Sequence, residues 1–211
     1  DTLMSVVSEI GRLNEMEVVD SNKIGDREGL KYLPDGPEGP EVQTPEAFKK
    51  IYEVVKDSGY VGATMPTQYG GGGAPFTTAI LAGEVGIASN MAFYMGPGLS
   101  HGAMKTILKK ATEELKDKYL PNMTSGEWMG TMCLTEPQCG TDLGLIKSTA
   151  KPVDDHYELN GQKIWISFGE HDLTENIIHL VLARTPDAPA GIKGISLFLV
   201  PKRLDDNSRN P

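Results

Sequence analysis

The spacing of hydrophobic residues changes once along the chain, near residue 126. Before that point, apolar side chains recur every three to four residues, which is typical of amphipathic helices. After Trp128, hydrophobic and polar residues alternate in short runs, which is typical of strands with one buried face. The pattern therefore predicts an α+β chain, with an all-helical domain at residues 1–126 and an antiparallel β domain, a barrel or sandwich, at residues 127–211.

Apolar spacing, caps and helix breakers locate the helices and the loops between them. The apolar face of the first helix includes Leu3, and Thr44-Pro45-Glu46 carries the cap, proline and early acid of a helix start that Gly59 ends. A proline- and glycine-rich stretch at residues 20–43 predicts an exposed loop, and the Met91–Gly98 segment is predicted to be loop-like. The remaining helices are expected at residues 3–18, 77–89, 99–110 and 113–120, the last capped by Thr112 and closed by Pro121.

Alternating runs in the second half predict six strands. The clearest hairpin signal is Asn160-Gly161, because a tight type I′ turn requires positive φ at both of its central residues. The strands are expected at residues 128–135, 145–152, 156–160, 163–168, 177–184 and 194–200.

Composition and charge narrow the class of protein. The 211 residues are 39% hydrophobic and 23% charged, as expected of a globular chain. A formal net charge of −9 argues against nucleic acid as a partner, and no apolar run approaches the length of a membrane span. Only two cysteines occur, Cys133 and Cys139, so a reduced, cytoplasmic protein without a metal site is expected.

The strand that starts at Trp128 runs into a turn rich in glycine, proline and side-chain oxygens, Thr135-Glu-Pro-Gln-Cys-Gly-Thr-Asp142. Such a turn leaves N–H groups free to bind a phosphate or a ring carbonyl. The alternative is an ordinary capped turn at the end of a sheet strand, and the residue types alone favour it. A second segment, Gly161-Gln-Lys-Ile-Trp-Ile-Ser167, presents a large aromatic side chain beside a hydroxyl.

These two segments together resemble the acyl-CoA dehydrogenase family, whose members carry T-E-P-x-x-G-[ST]-D and later N-G-x-K-x-[WF]-I-[ST]. The resemblance extends to Tyr119-Leu-Pro-Asn-Met-Thr-Ser-Gly-Glu127 and to Met65-Pro-Thr-Gln-Tyr-Gly-Gly-Gly-Gly73, so it covers nearly the whole chain. Gln138-Cys-Gly-Thr141 replaces the common Gly-Ala-Gly-Ser. That version is similar to a large-subunit branch that includes 3-methylmercaptopropionyl-CoA dehydrogenases and several long-chain enzymes, so the resemblance leaves the size of the substrate open.

The resemblance implies FAD as the cofactor and an acyl-CoA thioester as the substrate. The turn would hold one part of the flavin and its pyrophosphate, while Trp165 would pack on the ring and Ser167 would lie near N5. Thr141 would also touch the CoA portion of the substrate. The implied cofactor-binding residues are Met132, Leu134, Thr135, Gly140, Thr141, Trp165, Ile166 and Ser167.

Other candidate chemistry is weaker. The Gly70–Gly73 run follows a helix rather than a strand, so a flexible turn between helices is favoured over a dinucleotide-binding loop. Neighbouring residues of Glu170-His171-Asp172 point to different sides of an extended segment, so a surface loop is favoured over an acid–base cluster.

The implied reaction is α,β-dehydrogenation of the acyl-CoA, with hydride transfer to FAD and electrons passed to an electron-transferring flavoprotein. In the family the catalytic base comes from a C-terminal helical bundle, which this sequence is expected to lack. No catalytic residue is therefore named, and the chain alone is expected to be inactive and its full-length form a homo-oligomer. The alternatives are an acyl-CoA oxidase or related flavin monooxygenase, or a non-catalytic interaction module.

Overall fold

The computed structural model describes residues 2–211, with side chains from Met4 onward. The side chain of Leu3, which the sequence assigns to an apolar helix face, lies outside the described residues. The α-helices are α1 (Thr2–Leu13), α2 (Val19–Glu28), α3 (Glu46–Asp57), α4 (Phe76–Lys110) and α5 (Glu113–Ser125). The strands are β1 (Lys31–Leu33), β2 (Glu41–Gln43), β3 (Trp128–Cys133), β4 (Thr149–Val153), β5 (His156–Asn160), β6 (Asn176–Ala183) and β7 (Ser196–Pro201).

The N-terminal helical segment is longer than predicted. A π-helical turn at Asn14–Val18 joins α1 to α2, so residues 19–28 are helical rather than part of a loop. The segment is mostly polar and contains no proline, and it ends only where Gly29 adopts a φ of 65°. Gly25 allows the close approach of this helix to Phe48, because a Cβ there would lie 2.5 Å from the ring.

The long helix α4 replaces the predicted loop at residues 91–98. Its backbone leaves helical geometry only at Asn90 (φ −155°, ψ 90°), and the Asn90 side chain accepts a hydrogen bond from the Phe93 amide at 3.0 Å. Asn90 therefore caps a second helical stretch that continues through Pro97. Likewise, α5 continues past Pro121, because the carbonyl that this proline leaves unpaired belongs to the exposed Asp117.

Helix α4 is also long and apolar enough, by length and composition alone, to cross a membrane, which the sequence analysis did not anticipate. Its side chains instead supply part of the hydrophobic core: Phe93, Tyr94 and Met104 are almost fully buried. Phe93 makes an edge-to-face contact with Phe48 of α3, at 5.7 Å between ring centroids. One face of α4 therefore belongs to the core, whereas Ile80, Ile87 and Met91 of the same helix are exposed.

The glycine run lies between α3 and α4, as predicted, but its backbone is hydrogen-bonded rather than free. The amides of Gly71, Gly72 and Gly73 donate to carbonyls of the preceding turn, at Pro66, Gly62 and Met65. A Cβ on Gly71 would lie 2.1 Å from the Met65 carbonyl oxygen, so glycine is required by this close backbone contact.

The β part confirms the predicted order of a helical region followed by strands. A three-stranded sheet has the order β3-β6-β7, and β4 pairs with β5 in a hairpin. The β6–β7 and β4–β5 pairs are antiparallel, but β3 and β6 run parallel, which the sequence did not predict. The long connection between β3 and β6 makes the parallel arrangement possible, since parallel strands need a crossover of a dozen or more residues.

One predicted strand is wrong. Residues 163–168 do not form a strand, because Trp165 (φ 58°) and Phe168 (φ 54°) adopt left-handed backbone conformations that interrupt extended geometry. The hairpin predicted at Asn160-Gly161 is therefore wrong as well: β5 pairs with β4 across the turn at Asp154 and Asp155. The strand predicted at residues 145–152 begins later, as β4, because Leu143–Leu145 forms a 3₁₀ turn.

Polar contacts join the helical and β parts. The Tyr52 hydroxyl of α3 donates to the Gly126 carbonyl at 2.6 Å, immediately before β3. Thr44 does not cap α3 as predicted; its amide and hydroxyl both donate to Asp172, at 2.9 and 2.7 Å. In α4, the Ser100 hydroxyl accepts a hydrogen bond from the Gly130 amide of β3 at 3.0 Å.

Candidate cofactor site

Strand β3 lies at one edge of its sheet and leaves a row of backbone groups facing away from β6. The orientation of this row follows from Gly130, whose amide and carbonyl both contact Ser100 of α4 rather than β6. Because backbone groups alternate in direction along a strand, the amides and carbonyls of Met132 and Leu134 point to the same open edge as those of Gly130. The Met132 amide and carbonyl and the Leu134 amide therefore remain available beside the turn that follows β3, whereas the Leu134 carbonyl accepts a hydrogen bond from the Lys163 ammonium at 3.0 Å.

The turn after β3 is closed by two hydrogen bonds between the backbones of Glu136 and Cys139, at 2.9 and 3.0 Å. The next two residues, Gly140 and Thr141, are exposed, and their amides have no hydrogen-bond acceptor among the described residues. Gly140 lies close to Thr135, since a Cβ on it would stand 3.7 Å from the Thr135 methyl carbon. The turn thus offers two adjacent free N–H groups, which suit a phosphate oxygen.

The second segment presents Trp165 almost entirely to solvent, with 86% of the residue exposed. A bulky residue with positive φ is a strained conformation, which persists only where neighbouring contacts impose it. Two hydrogen bonds hold the segment: the Ile164 amide donates to the Thr135 carbonyl at 3.0 Å, and the Thr131 hydroxyl donates to the Ser167 carbonyl at 2.7 Å. These hydrogen bonds therefore hold the backbone in the conformation that points the Trp165 side chain into solvent.

Phe168 anchors the end of this segment on α4. Its ring occupies the space left by Gly96, where an added Cβ would stand 2.5 Å from the ring. Phe168 also packs against the hydrophobic core and makes an edge-to-face contact with His171, at 5.7 Å between ring centroids. The two left-handed residues therefore direct Phe168 inward and Trp165 outward.

Several hydroxyls in these segments remain available to a ligand. Those of Thr135, Thr141 and Ser167 have no hydrogen-bond partner among residues 2–211. The chain therefore brings together a flat exposed indole, unpaired hydroxyls and two free amides. A flavin dinucleotide needs an apolar contact for its ring, polar groups near the ring heteroatoms and N–H donors for its pyrophosphate, and the residues present fit that need.

Behind the turn, the Glu136 carboxylate is 3% exposed and fully hydrogen-bonded. Its donors are the Lys163 ammonium at 2.8 Å, the Lys147 and Ser148 amides at 2.7 and 3.1 Å, and the Gln138 side-chain amide at 2.6 Å. Burial tends to raise the pKa of this carboxyl, but the hydrogen bonds from Lys163, Ser148, Lys147 and Gln138 outweigh it and lower the pKa to about 2. Glu136 is therefore an ionised structural group at neutral pH.

Arg184, at the end of β6, holds the loop that continues from the turn. Its guanidinium donates to the carbonyls of Gly144 and Ile146, both at 2.8 Å. Its backbone also pairs with Ser148 and Ala150, which attaches this loop to the start of β4.

Thr131, Phe168, Lys163 and Arg184 also build the site, although none of them is among the residues predicted from the sequence. The lysine of the N-G-x-K pattern was the one signal available in the sequence, since it lies two residues before Trp165.

The prediction of a surface loop at Glu170-His171-Asp172 is only partly correct, because His171 is buried, with 2% of the residue exposed. Burial lowers the pKa of His171 to about 3, and the Leu173 amide donates to its Nδ1 at 3.2 Å. Glu170 pairs with Lys202, whereas Asp172 binds Thr44 and Lys49. The three side chains bind different partners and do not form one acid–base cluster.

The cysteines are both free and buried. Cys133 lies 3.8 Å from Nδ1 of His179. Among residues 2–211, no group of three or more His, Cys, Asp or Glu side chains is arranged to hold a metal ion.

A helical region, a small mixed sheet and a solvent-facing indole beside a turn with two free amides form a surface that suits a nucleotide cofactor. Comparison with family models gives the particular class. The N-terminal domain model of the acyl-CoA dehydrogenases matches residues 37–127, and the middle domain model matches residues 131–209. The chain belongs to the acyl-CoA dehydrogenase family.

Individual relatives agree with this family. A 3-methylmercaptopropionyl-CoA dehydrogenase of Ruegeria pomeroyi is 42% identical over 205 residues, which are 97% of this chain and 34% of the relative. The chain spans about a third of the length of the curated relatives it matches.

Solved structures show the same fold. A butyryl-CoA dehydrogenase from Megasphaera elsdenii superposes with a TM-score of 0.75 at 25% identity, covering 95% of this chain and 48% of that one. An acyl-CoA dehydrogenase from Bacillus anthracis, complexed with FAD, superposes with a TM-score of 0.74 at 24% identity, covering 95% of this chain and 30% of that one.

Proposed function

We propose that this chain forms the FAD- and acyl-CoA-binding part of an enzyme that performs α,β-dehydrogenation of an acyl-CoA thioester. The observation that carries the proposal is Trp165, an exposed indole held in a left-handed conformation beside the unpaired hydroxyls of Thr135 and Ser167. Backbone strain of this kind is concentrated at functional sites, where it positions a side chain for contact with a ligand.

In this proposal the open edge of β3 binds the flavin ring through backbone groups of Met132 and Leu134 and the Thr135 hydroxyl. Trp165 and Ile166 form an apolar wall for the ring, and Ser167 donates a hydrogen bond near N5. The free amides of Gly140 and Thr141 bind the pyrophosphate. FAD held in this way would supply the acceptor for the substrate β-hydrogen as hydride, and the α-proton would pass to a carboxylate base, which would leave an enoyl-CoA.

The substrate contact that we assign within this chain is Thr141, through the CoA portion. We assign no base to the described residues: Glu136 is buried behind the turn and engaged with four donors, and His171 faces the core. We therefore expect the 211-residue chain by itself to bind ligands without turnover.

The finer features of the proposal come from the family rather than from this structure. They are a homo-oligomeric enzyme in the cytoplasm, acting in fatty acid β-oxidation, with an electron-transferring flavoprotein as the acceptor. We take the change in hydrophobic spacing near residue 126, from helical to alternating, as the boundary between the helical and the β domain.

The test is retention of flavin. The purified chain is incubated with FAD and passed through gel filtration, and the visible absorption of the protein fraction is measured. We expect flavin bands with the wild-type chain and a marked loss with Trp165→Ala. The matched control is Tyr157→Ala, another partly exposed aromatic of the β part, which should retain flavin as the wild type does.

Equal retention by wild type and Trp165→Ala would contradict the assigned ring contact. If the wild-type chain retains none, the same spectra are taken from a fusion to the C-terminal domain of a relative. A colourless fusion would contradict the proposal and favour a non-catalytic interaction module. A flavin-containing fusion that consumes oxygen without an added acceptor would instead favour an acyl-CoA oxidase or monooxygenase.

A further inference from the structure

The ammonium of Lys163 connects the two segments of the cofactor site. Its Nζ donates to the Leu134 carbonyl at 3.0 Å and to the Glu136 carboxylate at 2.8 Å. The lysine side chain is 12% exposed and that of the glutamate 2%. An ion pair this well buried is little screened by solvent, and its hydrogen bond is charge-assisted, so the contact is a strong one.

This connection matters because the two segments are not paired as strands. The single backbone hydrogen bond between them runs from the Ile164 amide to the Thr135 carbonyl. Lys163 is adjacent to Ile164, and Leu134 is adjacent to Thr135, so the side-chain contacts stand directly beside that bond. Together they fix the separation between the turn after β3 and the backbone that carries Trp165.

Glu136 has further donors that hold it in place without Lys163. The amides of Lys147 and Ser148 donate to its two oxygens, so the carboxylate remains charged and oriented if the lysine is removed. Conversely, replacing the glutamate leaves the Lys163 ammonium buried with only the Leu134 carbonyl as a partner. The Lys163–Glu136 pair therefore carries no net charge, whereas removal of either residue would leave one uncompensated charge behind the turn.

We propose that Lys163 and Glu136 are positioning residues that hold the two flavin-binding segments in register and keep the protein behind the flavin electrically neutral. The proposal rests on the proposed function for its ligand. Neither residue touches the flavin in this arrangement: Lys163 acts through Leu134 and Ile164, and Glu136 acts through Lys163.

The first readout does not need flavin. Hydrogen exchange of the Ile164 amide is measured in the wild type, in Lys163→Met and in Lys163→Arg. We expect about tenfold faster exchange in Lys163→Met, since the segment loses its charged anchor, and recovery to within about threefold in Lys163→Arg. The control is Lys56→Met, which removes an ion pair with Glu53 and Glu127 near the opposite end of β3.

The second readout is the reduction potential of bound FAD, measured by dye-coupled titration. Lys163→Met leaves the Glu136 anion behind the turn and should lower the potential, because added electrons are then repelled. Glu136→Gln leaves the Lys163 cation and should raise it. A merely structural role would loosen the site in both variants and move both potentials in the same direction. Lys56→Met should leave the potential unchanged.

Unaltered Ile164 exchange in Lys163→Met, or potentials that do not move in opposite directions, would overturn the positioning role. Should Lys163→Met fail to fold, Lys163→Gln removes the charge while keeping a donor and gives the same comparison. If neither the wild-type chain nor its fusion to a C-terminal domain binds FAD, the proposed function fails by that result, and the exchange experiment still decides whether Lys163 holds the two segments together.

Discussion

The contact between Gly96 and Phe168 makes the substitution Gly96→Ala informative. Alanine in a helix is favoured over glycine by about 1 kcal/mol. The new methyl group would, however, stand 2.5, 2.7 and 3.0 Å from three ring atoms of Phe168. Overpacking of this kind costs roughly 1–3 kcal/mol. We therefore expect Gly96→Ala to lower the free energy of unfolding by about 1 kcal/mol.

The matched control is Gly98→Ala, two positions further along α4. Gly98 belongs to the same helix, and a Cβ there would meet no atom within 4 Å, so only the gain in helix propensity applies. Gly98→Ala should stabilise the protein by up to about 1 kcal/mol. The two alanine variants should therefore differ by ~2 kcal/mol, although they replace the same residue type two positions apart.

Urea unfolding followed by circular dichroism measures these differences. With an m-value of about 2 kcal/mol per molar urea, a change of 1 kcal/mol moves the midpoint by about 0.5 M. In a Phe168→Ala background the ring is gone, so Gly96→Ala should become stabilising by about 1 kcal/mol, a reversal of sign. A Gly96→Ala variant that destabilises equally in both backgrounds would refute the assignment of the cost to the Phe168 ring.

Three further outcomes are expected. Because the pKa of Glu136 is about 2 in the folded chain and its ordinary value is 4.5, its contribution to stability is complete above about pH 5 and is lost as the pH falls towards 2. Glu136→Gln should thus flatten the stability profile over this interval, and parallel profiles in urea titrations would contradict it. Tyr52→Phe removes the donor to the Gly126 carbonyl and should cost about 1–2 kcal/mol of unfolding free energy by urea denaturation. Gly71→Ala should destabilise more than Gly96→Ala, since its methyl group would meet a backbone carbonyl 2.1 Å away; a smaller loss in the same assay would refute this ordering.

Local pattern was sufficient for the regular elements. The helix predicted to begin at Thr44-Pro45-Glu46 is α3 (Glu46–Asp57), and the strand predicted at residues 156–160 is β5 (His156–Asn160). Amphipathic spacing decides such elements because one face of each must be buried. The family signature likewise selects both segments of the proposed cofactor site from residue identity alone, and their role stays a prediction.

Contacts between residues far apart in the sequence explain the features that local sequence patterns did not predict. Trp165 and Phe168 alternate with isoleucines and serine like strand residues, yet contacts made elsewhere in the chain hold both in left-handed conformations. The pairing of Glu136 with Lys163 joins residues 27 positions apart, and the parallel register of β3 with β6 depends on an even longer connection. Periodicity carries no information on the partner of a strand or of a charge.

The contacts of α4 with the β part have a consequence for exchange of domains between relatives. A chimera that joins the helical half of one family member to the β half of another at residue 127 would inherit Gly96 and Ser100 from one parent. It would inherit Phe168 and Gly130 from the other. A larger residue at position 96 or 130 would collide with the new partner, so productive crossovers should be those that keep these two pairs together. The boundary between the two domains in the sequence therefore does not separate the residues that pack together in the folded protein.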